Sequence, residues 1–386
     1  MQPKLSVTMD IGPAVHQNAG LSRYTERLAS TMLQQHTGDI DLTFFYNKHS
    51  GHQPPPSLYA APKKIIQMGQ YPWRIGSLVS NLLRRPLFPK IAAGSHLYHA
   101  TEHLLPYVNC PTILSVHDLI FERYPAHHTR RNHIFLTWSM PRFVTAADAI
   151  VAVSHHTKLD LIELYQTPAE KIHVIHEGID PTFAPMPANE VARVSYGYAQ
   201  SKPYLLMVGT LEPRKNHATA MRAMARRKAA GHDDQLLIVG GKGWLFEPIQ
   251  RLVDELDIAD RIHFTGYVPA ADLPALYSGA TCVLVPSLYE GFGFSVLEAM
   301  ACGTPVICSN VSSLPEIAGD AALLLEAPEN DEELALLIER MATEAGLAAR
   351  LRKLGVERAS QFTWEKCAAE TVALYEEVIS ANSVNA

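Results

Sequence analysis

Thirteen short apolar runs, each followed by a stretch with helical spacing, constrain the fold of this chain more than any other feature. Runs of three to five residues bounded by turn residues fit strands buried on both faces. Strands that alternate with helices pair in parallel. Seven runs fall in the first half: Leu5–Met9, Leu42–Phe45, Ile65–Met68, His96–His99, Thr112–Val116, Ala149–Val153 and His173–Ile175. Six fall in the second: Tyr204–Val208, Gln235–Val239, Ile262–Phe264, Cys282–Val285, Pro305–Ile307 and Ala322–Leu325. Between the sets, Asp180-Pro-Thr-Phe-Ala-Pro-Met-Pro187 has neither period and reads as a linker. At 386 residues the chain is also long for one core. The expected fold is α/β, with two Rossmann-like doubly wound parallel-sheet domains, 1–180 and 181–363, facing across a cleft. A last helix from about Trp364, within 364–386, could cross back to brace the first domain.

Apolar content of 47% and charged content of 19% fit a soluble globular protein. A net charge of −6 argues against nucleic acid as a partner. That average hides an asymmetry, because no acidic residue lies between Asp41 and Glu102. Seven of the 33 basic residues do: Lys48, Lys63, Lys64, Arg74, Arg84, Arg85 and Lys90. Tyr71, Trp73, Leu82, Leu83, Leu87 and Phe88 stand among them. This mixture fits an anionic membrane surface or a lipid-diphosphate acceptor. A core helix with solvated cations fits it equally well. Five cysteines without a Cys-x-x-Cys read as buried free thiols in a reducing cytoplasm. No apolar run approaches the roughly 18 residues that cross a bilayer, and no signal-peptide core is present. The expected location is cytoplasmic, at most peripheral at the inner face of the plasma membrane.

Ligands of doubly wound sheets bind beyond the carboxyl ends of the strands, and the polar motifs collect there. Cys282-Val-Leu-Val-Pro286 leads to Glu290-Gly-Phe-Gly-Phe-Ser-Val-Leu-Glu298, with a helix from about Ser295 that Gly303 and Pro305 end. Such a helix start attracts an anion like a diphosphate. Gly291 and Gly293 admit close approach of a ligand to the main chain. Glu290 and Glu298 can accept hydrogen bonds from hydroxyls on either side of the phosphates. A nucleotide-sugar has that layout: sugar, diphosphate, ribose. Tyr204–Val208 leads to Gly209-Thr-Leu-Glu-Pro-Arg214-Lys215-Asn216, whose two cations suit phosphate; a solvated charge pair is the plainer alternative. The loops with Gly240-Gly241 and Thr265-Gly-Tyr-Val268-Pro suit main-chain contact with a planar base.

In the first half, Leu5–Met9 runs into Asp10-Ile-Gly-Pro-Ala-Val-His-Gln-Asn-Ala-Gly20 and a helix from Leu21, which Asn18 or Ser22 could cap. Gly20 would open that backbone to an anion, and Arg23 would meet the anion or pair with Glu26. An ordinary strand–helix loop explains the segment as well. Thr112–Val116 ends in His117-Asp118, placing an imidazole where it could bond a sugar hydroxyl, with Asp118 capping the next turn. A single histidine among 18 is usually structural. Asp39-Ile-Asp41 reads as a solvated strand edge, and His173 and His176 fall on opposite strand faces. His127-His128 and His155-His156 lack partners at metal-ligand spacing. Neither a P-loop nor Gly-x-Gly-x-x-Gly nor Gly-x-Ser-x-Gly occurs.

Taken in order, these motifs resemble the retaining glycosyltransferases of family 4, which have the GT-B fold, and most of all the subgroup similar to bacterial O-antigen mannosyltransferases. The resemblance rests on Asn-Ala-Gly20-Leu-Ser-Arg23-Tyr24, Ser-Val-His117-Asp118-Leu, Val-Ser154-His-His-Thr-Lys158, Val-Gly209-Thr-Leu-Glu-Pro-Arg214-Lys215-Asn216 and the Glu290–Glu298 segment running to Gly303-Thr-Pro. It implies an acceptor-side first domain and a nucleotide-sugar-binding second domain. By this resemblance His117, Arg214, Lys215 and Glu290 carry the chemistry: His117 and Glu290 on the sugar, Arg214 and Lys215 on the departing phosphate. Gly20, Gly209, Thr210, Gly241, Val268, Gly291, Phe292, Gly293, Phe294, Ser295 and Glu298 hold the donor, with Glu298 on the ribose and Val268 on the base. Many relatives carry arginine where this chain has Thr210, which leaves more of the phosphate to Arg214 and Lys215. The resemblance further implies a GDP-mannose or UDP-glucose type donor, a lipid-linked glycan acceptor, no cofactor and no metal. A GT-B epimerase or a non-catalytic nucleotide-sugar-binding protein would use similar sheets. The first releases nucleoside diphosphate without acceptor, and the second shows no turnover. A nicotinamide-dependent dehydrogenase would need the missing glycine fingerprint.

Overall fold

The computed structural model describes residues 4–17, 19–127, 129–199, 202–241 and 246–384. The chain divides into two compact units, Met1–Gly178 with Thr363–Ala386, and Ile179–Phe362. Unit 1 holds β1 (Leu5–Asp10), β2 (Ile40–Asn47), β3 (Lys63–Ile66), β4 (Leu97–Ala100), β5 (Thr112–Val116), β6 (Ala149–Ala152) and β7 (Ile172–Val174). Unit 2 holds β8 (Tyr204–Val208), β9 (Gln235–Val239), β10 (Ile262–Gly266), β11 (Cys282–Val285), β12 (Val306–Ser309) and β13 (Ala322–Leu325). The sheet orders are β3-β2-β1-β4-β5-β6-β7 and β10-β9-β8-β11-β12-β13. Neighbouring strands are parallel throughout, with registers such as Thr8↔Tyr98 and Leu206↔Val283. These are doubly wound sheets, and each expected apolar run overlaps a strand. Strand order reverses between β1 and β4 and between β8 and β11, so those carboxyl ends flank the two ligand crevices.

The strands are apolar because helices cover both faces. β5, β6, β9, β11 and β12 are buried along their whole length. β3 differs: it starts two residues before the expected run, at Lys63-Lys64, and lies at the sheet edge. There the Lys64 ammonium donates to Thr8 Oγ1 at 3.2 Å and to the Ala93 carbonyl at 2.9 Å. Polar residues thus extend an edge strand that hydrophobicity alone does not reveal. Trp73 corrects the surface reading of its segment. It is 1% exposed, with its ring centroid 5.1 Å from Phe45 and 5.0 Å from Phe88. All five cysteines are free thiols, and four are buried. Among the described residues no helix is long and apolar enough to cross a membrane.

The final helix, Trp364–Val384, belongs to unit 1 and packs on the Ala19–Gln35 helix. A buried polar chain anchors it. Tyr375 OH lies 2.7 Å from His99 Nδ1, His99 Nε2 lies 2.8 Å from Ser115 Oγ, and Ser115 Oγ lies 2.9 Å from Tyr24 OH. Burial lowers the His99 pKa to about 3, so the neutral ring accepts at one nitrogen and donates at the other. The helix entry also needs a glycine: a Cβ at Gly178 would sit 2.3 Å from the Trp364 amide nitrogen. Gly178→Ala should therefore cost unit 1 about 1–3 kcal/mol through overpacking. Gly197, inside the Ala188–Ala199 helix, has open space around a built Cβ, and Gly197→Ala should stabilise by roughly 0.5–1 kcal/mol. Thermal unfolding of both variants checks this, and equal shifts would contradict the tight crossing at Gly178.

Candidate functional site

The β8/β11 switch point of unit 2 gathers the charged motifs. After β8 the chain makes a single 3-10 turn, Pro213–Lys215, and Asn216 adopts a left-handed conformation (φ 54°) before the His217–Ala229 helix. Asn216 Nδ2 donates to the Pro286 carbonyl at 3.0 Å and to the Pro328 carbonyl at 2.7 Å. The Leu288 amide donates to the Arg214 carbonyl at 2.8 Å. The loops that follow β8 and β11 are therefore tied by main chain before any charge is considered. The neighbouring strand-end loops are joined in the same way: Leu211 N donates to Gly241 O at 3.1 Å, and Gly240 N to Gly266 O at 2.9 Å.

Glu290 sits at the centre of this cluster and is 6% exposed. Arg214 Nη1 donates to its Oε2 at 2.6 Å, Lys215 Nζ to its Oε1 at 2.7 Å, and Ser287 Oγ to Oε1 at 2.7 Å. Arg214 Nε also donates to Glu212 Oε2 at 2.9 Å. Burial by itself would raise the Glu290 pKa, but Arg214 and Lys215, with the Ser287 hydroxyl, outweigh it and hold the group at about 2. Ser312 Oγ accepts from the Glu290 amide at 2.9 Å, and Ser313 Oγ lies 2.9 and 2.7 Å from the carbonyls of Glu290 and Phe292. The segment then enters the Phe294–Ala301 helix through Gly293, whose φ of 117° disfavours any residue with a side chain. The Val296 and Leu297 amides donate to the Gly293 carbonyl at 3.0 and 3.4 Å, which fixes the first turn of that helix. Glu298, 3% exposed, lies within the helix and accepts from Tyr277 OH at 2.6 Å.

Gly209, Thr210, Arg214, Lys215 and the run from Glu290 to Ser295 therefore meet at one switch point. Gly241 and Val268 lie in the loops that follow β9 and β10 of the same sheet. Gly20 and His117 belong to unit 1. The helix there starts at Ala19, two residues before the expected Leu21, so Gly20 is inside its first turn and Ser22 is an interior residue, not a cap. Asn18 lies outside the described residues. Asp118 Oδ1 accepts from the Ile120 amide at 3.2 Å in a local turn, while the N-cap of the Ile120–Arg123 helix is Leu119, which makes no side-chain cap.

His117 is 8% exposed and both ring nitrogens face acceptors: Nδ1 is 3.1 Å from Glu177 Oε1, and Nε2 is 3.0 Å from the Thr101 carbonyl. Only the doubly protonated ring donates to both. Burial opposes that charge, yet Glu177 and the Thr101 carbonyl overcome it and raise the His117 pKa. Nearby, at the β1/β4 switch point, Asp10 is 2% exposed and accepts from the Gly12 amide at 2.7 Å. Burial, and then the Glu102 carboxyl, push Asp10 up to about 8.

Several of these groups escape sequence reasoning. Ser287, Ser312, Ser313, Glu212 and Tyr277 carry no spacing that sets them apart. Glu177 has one usable signal: like His117 it follows a strand, and a glycine follows it.

Comparison with known proteins gives the family and the fold. The family described as glycosyl transferases group 1 matches residues 189–358, and glycosyltransferase family 4 matches residues 19–183. The chain is 31% identical over 283 residues to O-antigen chain mannosyltransferase B of Escherichia coli, covering 73% of this chain and 74% of that one. Over further curated relatives the match spans between 51% and 59% of their length. Sucrose-phosphate synthase from Thermosynechococcus elongatus superposes with a TM-score of 0.77 at 22% identity, covering 98% of this chain and 100% of that one. HepE of Anabaena, in complex with UDP-glucose, superposes with a TM-score of 0.73 at 17% identity, over 96% of this chain and 99% of its own. The fold is GT-B, and the chain belongs to glycosyltransferase family 4.

Proposed function

We propose that this chain moves a hexosyl unit from a nucleoside-diphosphate hexose to a hydroxyl of a growing, lipid-linked cell-surface glycan, with retention of configuration and without a metal. The observation that carries the reading is the Arg214–Glu290–Lys215 cluster beside the start of the Phe294–Ala301 helix. The 31%-identical O-antigen mannosyltransferase favours a GDP-mannose type donor. The solved complex of HepE with UDP-glucose keeps a UDP-glucose type donor as the second reading. The reaction is placed in the cytoplasm, at the inner face of the membrane that would hold such an acceptor.

In this reading the diphosphate meets Arg214, Lys215 and the helix N-terminus. A lysine ammonium has three donors, and among the described residues Glu290 takes one of those of Lys215. Glu290 serves two purposes. It holds both cations in place, so they need not reorganise as charge grows on the leaving phosphate. Its carboxylate offers about four acceptor sites, and Arg214, Lys215 and Ser287 occupy three, leaving one for a sugar hydroxyl. The bond from sugar C1 to the phosphate oxygen breaks while the acceptor oxygen bonds C1 on the same face. The departing phosphate takes the acceptor's proton. Glu298, held by Tyr277, receives the ribose, and the Val268 backbone receives the base. In unit 1, both ring nitrogens of His117 are engaged, by Glu177 and by the Thr101 carbonyl.

Assays in excess chelator with GDP-mannose or UDP-glucose and a glycan acceptor test this. Wild-type turnover should persist, and Lys215→Ala should lose about 10²–10³-fold in kcat with a smaller change in donor KM. Abolition of wild-type turnover by chelator would contradict the metal-free step, and an unchanged kcat in the variant would contradict the leaving-group role. A second expectation concerns pH. The Glu290 pKa lies at about 2, below the ordinary 4.5, so its stabilisation is present above about pH 4.5 and lost as pH falls through about 2. Glu290→Gln leaves two cations without their carboxylate and should cost roughly 3 kcal/mol at pH 7. In melting curves, that deficit should shrink between pH 4.5 and pH 2; a constant deficit would contradict the pairing.

A further inference from the structure

The Gln70–Leu83 helix seats Trp73 and Leu78 against the core but also carries an apolar outer face. Its buried positions are Trp73, Ser77 and Ser80, whereas Tyr71, Ile75 and Leu82 are 67%, 59% and 57% exposed. The exposed set is spaced by four and seven residues and so shares one face. Burying Ser77 and exposing Leu82 both forfeit transfer free energy. The Ser77 hydroxyl has no hydrogen-bond partner among the described residues, so no internal bond explains its inward position.

The Arg130–Ala146 helix beside it buries Leu136, Met140, Phe143 and Val144 in the core, yet it too leaves large apolar side chains outside. Ile134 and Trp138 are 51% and 64% exposed, while Ser139 is fully buried and its hydroxyl is likewise without a partner among the described residues. Arg131, Ile134, Trp138 and Arg142 recur every three or four residues, giving one face of cations and apolar side chains. Arg74 joins the helices: Nη2 donates to Asn132 Oδ1 at 2.8 Å, and the guanidinium carbon lies 4.0 Å from the centre of the Phe135 ring. Where the last turns of the two helices approach each other, a pocket of about 770 Å³ opens, lined by Asn81, Leu82, Arg84, Tyr107, Pro141 and Arg142. Tyr107 precedes β5 and the Arg130–Ala146 helix ends just before β6. The pocket is therefore at the amino ends of these strands, away from His117 at the carboxyl end of β5.

Charge identifies the occupant. The segments 42–101 and 123–147 that build this face contain no aspartate or glutamate, and Arg84, Arg85, Lys90, Arg131 and Arg142 are exposed. A second copy of the chain in a two-fold contact would set arginine against arginine. An anionic bilayer offers phosphate to the arginines and an interfacial layer to tryptophan, tyrosine and leucine. We infer that the Gln70–Leu83 and Arg130–Ala146 helices form a membrane-docking face for anionic phospholipid, and that the pocket between Arg84 and Arg142 receives the lipid phosphate. This rests on and deepens the membrane location proposed above, and it stands apart from the residues assigned to the donor.

Flotation of the full chain with phosphatidylcholine vesicles, with and without phosphatidylglycerol, tests it. The chain should bind only the anionic vesicles, and less at high salt. Each neutralised arginine near the surface costs about fivefold, so the Arg84→Gln, Arg142→Gln double variant should bind about 25-fold more weakly. Trp138→Ser should also weaken binding, and both variants should keep the wild-type melting temperature and its shift with GDP or UDP. Equal binding to neutral vesicles, no binding to either, or undiminished binding by the variants would overturn the proposal. Soluble glycerol phosphate that binds as tightly as the vesicles, whether or not Trp138 is present, would assign the pocket to a free phosphate and also overturn it. So would a concentration-dependent dimer that Trp138→Ser abolishes in sedimentation without lipid.

Discussion

One buried carboxylate shared by two cations holds the second unit's site together. Arg214 and Lys215 come from the loop after β8, and Glu290 from the loop after β11. Either cation alone at this depth would be costly, and the carboxylate alone would be driven toward protonation. Paired, they stay ionised and span the crevice where strand order reverses. The Asn216 side-chain bonds to Pro286 and Pro328 and the Leu288–Arg214 main-chain bond hold the two loops at the separation this pairing needs. Glu212 bonds Arg214 from behind, which limits how far the guanidinium can swing. Two glutamates balance two cations, so the pull on an incoming anion comes from the arrangement of donors and the helix start, not from net charge.

The first unit solves a different electrostatic problem. His117 is held as an imidazolium between Glu177 and a main-chain carbonyl, while Asp10 is pushed toward its neutral form by burial and Glu102. Both pKa values are raised, which favours the neutral acid at the end of β1 and the charged ring after β5, in a unit whose last helix is anchored through the neutral His99. Burial shifts His99 and Asp10, whereas its partners shift His117 against burial.

Much of this is legible in the sequence, and the gaps have physical causes. Parallel strands buried on both faces announce themselves as apolar runs, which is why β5, β9 and β11 are readable to within a residue. β3 starts at two lysines because an edge strand can send their ammonium groups to neighbouring carbonyls. The loop glycines and the Arg214-Lys215 pair are visible because each lies in the loop after an apolar run that reads as a strand. That Glu290 bonds both cations is invisible, since the partners are 75 and 76 residues apart and neither lies on a shared helix. Ser287, Ser312 and Tyr277 are ordinary residues that matter only through what they touch. Composition reveals an amphipathic basic segment around Tyr71, but not which face is outward. The serines at 77 and 80, in step with Trp73, are what mark the inner face.

The central claim is that Arg214 and Lys215, kept in place by Glu290, grip the diphosphate of a sugar donor. A crystal structure of the chain with bound GDP or UDP tests it most directly. The account predicts β-phosphate oxygens at about 3 Å from Lys215 Nζ and the Arg214 guanidinium, with Glu290 still bridging the pair and the Gly291–Phe294 turn facing the nucleotide. A diphosphate seated elsewhere, with both cations turned away from it, would contradict the account.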